Sequence, residues 1–427
     1  MAYLAVALIL IFLAFGAPIF SVILAATMVG FYFSGIDLSA VSVELYRVID
    51  TPLLVSLPFF TFAGYVLSES GTSHRLMRLT TAIFGWVPNG MAIVVLIACA
   101  VFTAFTGASG VTILALGALL YPALTQSGYQ QKFSLGLVTT SGSLGLLLPP
   151  SIPLILYGII MQQMNIGGEF SFEQIFIAGL IPGLFMIVML SAWVFWANRH
   201  HRIPTTKFSG KEVLSALRES IWEVPLPIFV FVGIFGGILA VSEVAAVTAL
   251  YVLIVEVFIY KEIKILDLPK IVTESMSMVG GIILILGTSM ALTNYLIDAE
   301  VPTHLFEWVK AHVDSKLTFL LLLNVFLLIL GALLDIFSSL VIVVPLILPI
   351  AIGYGIHPLH LGVIFLANMQ IGYFTPPVGM NLFIASYRFE KSIIELSRAS
   401  IPFMFVLLGA VLIITYWPEL TLFMIQK

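Results

Sequence analysis

The chain has 427 residues, of which 60% are hydrophobic and only 9% are charged, and its mean hydropathy is +1.13. Soluble domains carry about 25% charged residues, so this composition excludes a water-soluble protein and predicts one embedded in a lipid bilayer. The small net charge of −4, without a basic patch, argues against nucleic acid as a partner, and the single cysteine, Cys99, excludes an intrachain disulfide or a cysteine metal cluster.

The predicted elements are hydrophobic segments, and all are expected to be helices because lipid offers unpaired backbone groups no water. The N-terminal segment lacks the basic start of a signal peptide, so we expect it to remain as a membrane helix. In chain order, the segments are 2–33 (with a potential break at 16–18), 52–68, 88–124, 133–163, 175–198, 222–241, 243–260, 276–297, 317–350, 360–388 and 400–424.

Two polar stretches define the predicted cytoplasmic side. Residues 199–223 hold five of the eighteen Lys and Arg residues, and 261–270 add three lysines two predicted crossings later. The positive-inside rule therefore predicts that both stretches are cytoplasmic. Ser209 and Glu212 have the spacing of a reciprocal capping box, and apolar residues over 213–221 share one helical face, which predicts either a helix on the membrane surface or a solvated loop helix.

Two motifs break the hydrophobic pattern in the same way, GLLLPPSIPLIL at 145–156 and GYFTPPVGMNLF at 372–383. Each follows a small, polar centre, at 102–112 and 330–345, flanked by apolar arms of about 15 residues, which reach only to mid-membrane. We therefore predict two units, each a re-entrant hairpin followed by a Pro-broken helix, and such a duplicated pair indicates a transporter binding site.

The residue types in these units favour a hard cation. Pro150 and Pro377 lack an N–H and disrupt the helix, so nearby carbonyls are predicted to be free, and a desolvated Na⁺ would bind them. Hydroxyls can add ligands, and the first unit has no carboxylate, which suits weak and reversible binding. The alternative is that Gly and Pro make only kinks and close helix packing.

Five stretches resemble the large membrane subunit of tripartite ATP-independent periplasmic (TRAP) transporters, and the resemblance extends over essentially the whole chain. They are TGASGVT (106–112), GSLGLLLPPSIPLILYG (142–158), FIAGLIPGL (176–184), LLDIFSSLVIVVPLILPI (333–350) and IGYFTPPVGMNL (371–382). The resemblance implies a multi-pass protein of the bacterial inner membrane. It also implies Na⁺-driven uptake of an organic acid, such as a C4-dicarboxylate or sialic acid, by an elevator movement of the two units.

The resemblance also implies ligands for at least two Na⁺ ions. The first sodium site falls on Thr106, Ser109, Gly145, Leu148 and Pro150, and the second on Gly331, Gly372, Thr375 and Val378. Many members carry Ser-Ser where this chain has Ala108-Ser109, so position 108 departs from the family pattern.

Two protein partners are implied, a small four-helix membrane subunit and a periplasmic substrate-binding protein. In some members the small subunit is fused ahead of the large one, and here it is expected to be a separate polypeptide. The expected division is 1–87 as N-terminal scaffold, 88–198 as the first transport unit, 199–316 as loop and scaffold, and 317–427 as the second transport unit with the final helix. The alternative is a stand-alone sodium-coupled carboxylate carrier, whereas no motif favours a membrane enzyme.

Candidate substrate contacts are Ser151, Asp335, Ser338, Asn381 and Arg388. Asp335 is the only charged residue between Lys316 and Arg388, and an intramembrane acid is a functional candidate, although it could equally cap a helix. Arg388 could attract an anion, although an arginine at a helix end more often extends to the interface.

Overall fold

The computed structural model describes residues 7–9, 11–13, 15–164, 170–199, 205 and 207–425, and all regular secondary structure in these residues is helical. The α-helices are α1 Ile19–Ser34, α2 Ser39–Ile49, α3 Ser56–Glu69, α4 Thr72–Phe84, α5 Gly90–Thr106, α6 Ser109–Ala115, α7 Gly117–Gln126, α8 Gln131–Ser141, α9 Ile152–Met164, α10 Phe172–Ala197, α11 Gly210–Glu219, α12 Pro225–Phe235, α13 Val241–Ile254, α14 Leu268–Asp298, α15 Val301–His312, α16 Lys316–Leu333, α17 Ile336–Gly353, α18 Pro358–Gly372, α19 Met380–Phe389, α20 Ile393–Tyr416 and α21 Glu419–Leu422. Short 3₁₀ segments lie at Pro52–Val55, Leu144–Leu147 and Ile265–Asp267, and a π-helical segment at Val255–Ile259.

Within the described residues, eight helical segments are long and apolar enough to cross a membrane, which confirms a multi-span helical protein. The predicted break in the first segment is also present, because Gly16 has φ +81° and α1 begins only at Ile19. The segment predicted at 222–241 is shorter than expected. Its helix α12 has 11 residues, or about 17 Å, which is less than the hydrocarbon thickness.

Each predicted hairpin centre contains the end of one helix and the start of the next. In the first unit α5 ends at Thr106, Gly107 adopts a left-handed φ of +64°, and α6 starts at Ser109. The two helices that follow this turn, α6 and α7, are bent by 54° relative to each other. In the second unit the 18-residue helices α16 and α17 are separated only by residues 334–335, so these arms are longer than predicted. Whether either hairpin is re-entrant stays a prediction.

Each Pro-broken helix packs closely against its own hairpin at a glycine. A Cβ atom built on Gly145 would lie 2.2 Å from the Ala100 carbonyl oxygen of α5. A Cβ atom on Gly372 would lie 2.5 Å from the Gly331 Cα atom of α16. Since real Cβ atoms do not approach this closely, both motifs require glycine where the break meets the hairpin.

The two units also contact each other through the second helix of each hairpin. Helix α6 of the first hairpin packs on α19, which follows the second break, and α17 of the second hairpin packs on α9, which follows the first break. Gly110 of α6 permits this approach, because a Cβ atom there would lie 2.5 Å from the Ile384 side chain. The two sequence units therefore form one interlocked body.

The two polar stretches predicted to be cytoplasmic lie on the same side of the molecule. The Tyr260 hydroxyl donates a 2.6 Å hydrogen bond to the Glu219 carbonyl oxygen, and Arg75 forms ion pairs with both Glu223 and Glu262. These contacts join the end of the first stretch to the start of the second, as predicted.

The capping box at the start of α11 is only half formed. The Glu212 N–H donates to the Ser209 hydroxyl oxygen at 3.3 Å, as predicted. The Glu212 carboxylate does not return to the Ser209 N–H but accepts hydrogen bonds from Arg78 of α4. This ion pair fixes α11 beside α4, while Leu214 and Leu217 on its apolar side remain exposed.

Candidate ion and substrate site

The first break is a buried loop between α8 and α9. The Pro149–Pro150 peptide bond is cis, and Ser151 closes the loop: its hydroxyl donates to the Leu146 carbonyl oxygen at 2.6 Å and its N–H donates to Leu148 at 3.1 Å. The Gly145 carbonyl also accepts a bond, from the Leu148 N–H. Several carbonyls predicted to be free are therefore already bonded within the loop, although each retains a second lone pair.

The second break repeats this arrangement with more exposure. The Pro376–Pro377 peptide bond is cis, and the carbonyl of Gly372 accepts a bond from the Thr375 N–H. The loop is fastened to the second hairpin because the Gly379 N–H donates to the Ala332 carbonyl oxygen at 3.0 Å. No hydrogen bond among the described residues engages the Thr375 carbonyl, so it is the better candidate for a free oxygen.

The tip of the first hairpin meets the second break directly. The Ser109 hydroxyl donates a 2.7 Å hydrogen bond to Asn381 Oδ1, and both residues are buried. Asn381 Nδ2 lies 3.4 Å from the Thr139 carbonyl oxygen, and its N–H donates to the Tyr373 carbonyl. Asn381 thus links the hairpin tip, the first broken helix and the second break.

A second link joins the two breaks. The Ser143 hydroxyl donates to the Gln370 carbonyl oxygen at 3.1 Å. The Gln370 side chain is fully buried, and neither its Oε1 nor its Nε2 has a hydrogen-bond partner among the described residues. The sequence did not single out either residue, although Ser143 and Gln370 stand at the same place relative to the two Pro-pair motifs.

The five residues predicted for the first sodium site lie around the tip of the first hairpin. Thr106 and Ser109 flank the turn, and the Thr106 hydroxyl lies 3.5 Å from the Ala108 carbonyl oxygen. Leu148 and Pro150 line one apolar cavity of about 200 Å³ together with residues 104–105 of the hairpin, and Gly145 packs on the same helix. The structure brings these residues together, and their binding of Na⁺ stays a prediction.

The four residues predicted for the second site form a corresponding group. Gly331 and Gly372 are in backbone contact, and the Thr375 hydroxyl donates to the Ile371 carbonyl oxygen at 2.8 Å. Val378 lies between the cis proline and Gly379, and its side chain is 38% exposed. The potential ligands in both groups are neutral hydroxyl and carbonyl oxygens.

Asp335 is a helix cap. Its Oδ1 accepts the Phe337 and Ser338 N–H groups at 2.9 and 3.0 Å, and its Oδ2 accepts the Ser338 hydroxyl. This arrangement satisfies the first turn of α17 and leaves the carboxylate only partly available to a ligand. Asp335 therefore caps α17, which is the alternative that the sequence left open. A role of Asp335 in substrate binding stays a prediction.

The remaining substrate candidates are dispersed. Ser151 is fully buried and closes the first break, so its hydroxyl is used within the loop. Arg388 is exposed in the last turn of α19, at the opposite end of that helix from Asn381, and it has no ion pair among the described residues. The structure therefore groups Asn381, but not Arg388, with the predicted ion ligands.

A buried charge cluster escaped the sequence analysis. Arg75 of α4 is 5% exposed and pairs with Glu223, Glu256 and Glu262, while its guanidinium lies 3.9 Å from the centre of the Tyr260 ring. Burial raises the pKa of Glu223 more than the positive charge of Arg75 lowers it. The partners are up to 187 residues apart in sequence, so spacing could not reveal them.

Comparison with known proteins gives consistent matches. The family model of the tripartite ATP-independent periplasmic transporter, DctM component, matches residues 6–420. The C4-dicarboxylate TRAP transporter large permease protein DctM of Rhodobacter capsulatus is 32% identical over 418 residues, covering 95% of this chain and 94% of that protein. The sialic acid TRAP transporter permease protein SiaT of Haemophilus influenzae is 28% identical over 423 residues, covering 99% of this chain and 68% of that protein.

Among solved structures, the YdaH transporter of Alcanivorax borkumensis matches with a TM-score of 0.62 at 13% identity, covering 89% of this chain and 88% of that chain. At this identity the likeness concerns the fold alone. It agrees with the observed helical membrane architecture.

Proposed function

Because the chain belongs to the DctM component family of tripartite ATP-independent periplasmic transporters, a family of multi-span inner-membrane permeases, we propose that it imports an organic acid together with Na⁺. The observation that carries the proposal is the pair of Pro-broken helices, each packed by a glycine on its own hairpin and joined to the other unit through Ser109–Asn381 and Ser143–Gln370. Broken helices at mid-membrane are where transporters bind ions and substrates.

Sodium coupling is supported by the oxygens at these breaks. The first group offers the Thr106 and Ser109 hydroxyls and loop carbonyls without a carboxylate. A desolvated Na⁺ bound by neutral oxygens is held without the strong attraction of a carboxylate, so it can be released on the other side. The second group offers the hydroxyl and carbonyl oxygens of Thr375. They lie next to the backbone of Gly372, which contacts Gly331.

An elevator movement is supported by the packing around the first hairpin. Two apolar cavities, of about 230 and 200 Å³, separate residues 101–106 of this hairpin from the start of α12. By contrast, the two units interlock through α6 on α19 and α17 on α9. Close packing within the units and the cavities towards α12 favour movement of residues 88–198 and 317–427 as one body past α12. Helix α3 instead packs directly on the hairpin tip, since a Cβ atom on Gly64 would lie 2.6 Å from the Thr106 Cα atom.

The family and the relatives support a proposal for the substrate and the partners. The relatives above are named for C4-dicarboxylates and sialic acid, and both are organic acids. We propose an organic acid of one of these classes, delivered by a periplasmic binding protein, with a separate small membrane subunit completing the complex. The solvent-exposed ends of the helices opposite the 199–223 stretch would receive the binding protein.

The test is uptake by proteoliposomes that hold the chain with its small partner. Labelled acids are supplied with the cognate periplasmic binding protein, in Na⁺ or in choline at a fixed membrane potential. Uptake that needs both Na⁺ and the binding protein supports the proposal. Undiminished uptake in choline would overturn sodium coupling, and equal uptake of free acid without binding protein would indicate a stand-alone sodium-coupled carboxylate carrier.

A further inference from the structure

Helix α11 has one apolar side that no other part of the described chain covers. At about 100° per residue, Leu214 and Leu217 lie on the same face of the helix, and Ile221 extends this face just beyond the helix end. Their side chains are 67%, 41% and 55% exposed, whereas Ala216 and Ser220, on a different side, are buried against the protein. The apolar stripe formed by Leu214, Leu217 and Ile221 therefore faces away from the side on which α11 is docked.

Positive charge borders the apolar stripe. By the same helical geometry, Lys211 and Arg218 lie together on the flank next to the stripe, and both are exposed. Neither forms an ion pair among the described residues. The two carboxylates of the helix, Glu212 and Glu219, lie further round and pair with Arg78 of α4. The free flank of α11 is therefore positive, because its negative charges are neutralised on the side that contacts α4.

The C-terminal end of α11 is fixed at the level where a membrane span ends. The apolar segment Val241–Ile259 is long enough to cross a membrane, and Tyr260 directly follows it. The Tyr260 hydroxyl donates to the Glu219 carbonyl oxygen at 2.6 Å, and the Tyr251 hydroxyl within the span donates to the Trp222 carbonyl oxygen at 2.6 Å. Helix α11 is thus held beside the end of this span and does not extend into the solvent away from it.

Aromatic side chains lie at both ends of the helix. Trp86 and Phe208 pack edge to face, with ring centroids 5.9 Å apart, just before α11, and Trp222 lies just after it. All three are exposed, and tryptophan is enriched at the headgroup level of membranes. A helix with leucines on one side, cations on the next and aromatic residues at its ends has the composition of helices that lie in the plane of the lipid–water interface.

We infer that α11 is an interfacial helix that buries its apolar stripe in the cytoplasmic leaflet and binds anionic phospholipid headgroups through Lys211 and Arg218. The stripe contacts acyl chains, and the long side chains of the two cations reach the headgroups beside it. Each basic residue near an anionic membrane surface strengthens binding roughly fivefold. The inference concerns lipid binding alone, so it does not depend on the proposed transport function.

The experiment places an environment-sensitive fluorophore, nitrobenzoxadiazole, on single cysteines of the full chain in phosphatidylcholine nanodiscs. Cys99 is the only native cysteine, so Cys99→Ala gives the background. Leu214→Cys labels the apolar stripe, and Ser215→Cys labels the side of α11 that bonds Arg78. Val188→Cys is the lipid control, because Val188 is 62% exposed in α10, whose only charged residue is at position 173. Quenching is measured with aqueous iodide and with a small fraction of spin-labelled phosphatidylglycerol or phosphatidylcholine.

We expect spin-labelled lipid to quench the label at Leu214→Cys more than that at Ser215→Cys, and iodide to do the reverse. Quenching by phosphatidylglycerol relative to phosphatidylcholine should be about fivefold or more higher at Leu214→Cys than at Val188→Cys, and high salt should reduce this preference. Adding Lys211→Gln and Arg218→Gln should remove it. The matched control is Lys310→Gln in α15, which removes a positive charge elsewhere and should leave the preference unchanged.

Three results would overturn the inference. Strong iodide quenching without lipid quenching at Leu214→Cys would show that α11 is a solvated loop helix. Equal lipid preferences at Leu214→Cys and Val188→Cys, or a preference that persists after both cations are neutralised, would overturn the selectivity for anionic headgroups. The label at Leu214→Cys is also measured in the complex with the small membrane subunit, where shielding from both lipid and iodide would show that protein covers the stripe.

Discussion

The Ser143 hydroxyl donates a 3.1 Å hydrogen bond to the Gln370 carbonyl oxygen, and the two residues hold equivalent positions, each two residues before the glycine that opens a Pro-pair motif. The bond has a local purpose, because Gln370 lies in the last turn of α18, where carbonyls lack intrahelical partners. The first break therefore caps the broken helix of the second unit.

Ser143→Ala should destabilise the protein by about 1–3 kcal/mol, because it leaves the buried Gln370 carbonyl without a partner. Ser134→Ala is the matched control: Ser134 is also fully buried, but among the described residues its hydroxyl bonds only the carbonyl of Gln130, the residue just before its own helix, which already accepts a backbone N–H. Thermal unfolding in nanodiscs measures both variants. Equal melting temperatures for the two would mean that the inter-unit bond contributes little.

Gln370→Met should raise the stability of the protein in sodium-free buffer by about 1–3 kcal/mol, since it removes a buried amide whose two polar atoms have no partner in the part of the chain that the structure describes, and it retains most of the side-chain volume. Thr61→Val is the control in α3, because its buried hydroxyl is also unpaired. A lower melting temperature for Gln370→Met alone would contradict the prediction and would show that a bound molecule or ion pairs with the amide.

The sequence predicted the parts of this structure that depend on local chemistry. Gly107 and the glycine at position 372 mark a turn and a close approach, and Pro150 and Pro377 mark the breaks, because glycine favours a positive φ and a close backbone contact and proline disrupts a helix. The length of the hairpin arms was predicted less well, since uniform apolarity carries no boundary signal in lipid.

The contacts between units could not be predicted in the same way. Ser109 and Asn381 are 272 residues apart, and nothing in their spacing indicates that they meet. Asp335 shows a related difficulty, because an isolated intramembrane acid has the same sequence signature whether it binds a ligand or caps a helix. The structure shows the cap directly, because the Asp335 carboxylate accepts the N–H groups of Phe337 and Ser338 in the first turn of α17.

Gly372→Ala should destabilise the protein by about 1–3 kcal/mol, because the new methyl group would lie 2.5 Å from the Gly331 backbone, which cannot move aside as a flexible side chain could. Gly409→Ala in α20 should instead stabilise it by about 0.5–1 kcal/mol, since nothing lies within 4 Å of its added methyl group. Melting temperatures that move in the same direction in both variants would contradict this packing argument.

Arg75→Met should destabilise the protein by about 3–5 kcal/mol, because it leaves the fully buried Glu256 and its neighbours without a counter-charge. Arg78→Met removes the neighbouring arginine of the same helix, whose pairs with Glu212 and Glu219 are exposed, so its effect on stability should be small. Similar losses of stability in the two variants would show that the buried ion pairs of Arg75 do not hold α4 in place.

Ser109→Ala and Thr375→Ala should each raise the half-saturating Na⁺ concentration for uptake, because each removes one hydroxyl of a predicted sodium site and leaves the backbone ligands in place. Loss of one such ligand should cost about 1–3 kcal/mol of binding, which is roughly 5- to 150-fold in Na⁺ affinity. Thr125→Ala is the control, since its hydroxyl bonds only carbonyls at the end of α7, away from both breaks. The hydrogen bond between Ser109 and Asn381 allows a further test, in which Asn381 is replaced.

Asn381→Ala frees the Ser109 hydroxyl without removing it, so it should alter the KM for the acid more than the Na⁺ curve, and Ser109→Ala should do the reverse. The double variant should show an interaction energy of about 0.5–3 kcal/mol in uptake, because the two side chains share a hydrogen bond. Wild-type Na⁺ curves for both Ser109→Ala and Thr375→Ala would show that the predicted ligands are wrong. Additive effects in the double variant would show that the contact between the hairpin tip and the second break does not link the ion to the substrate.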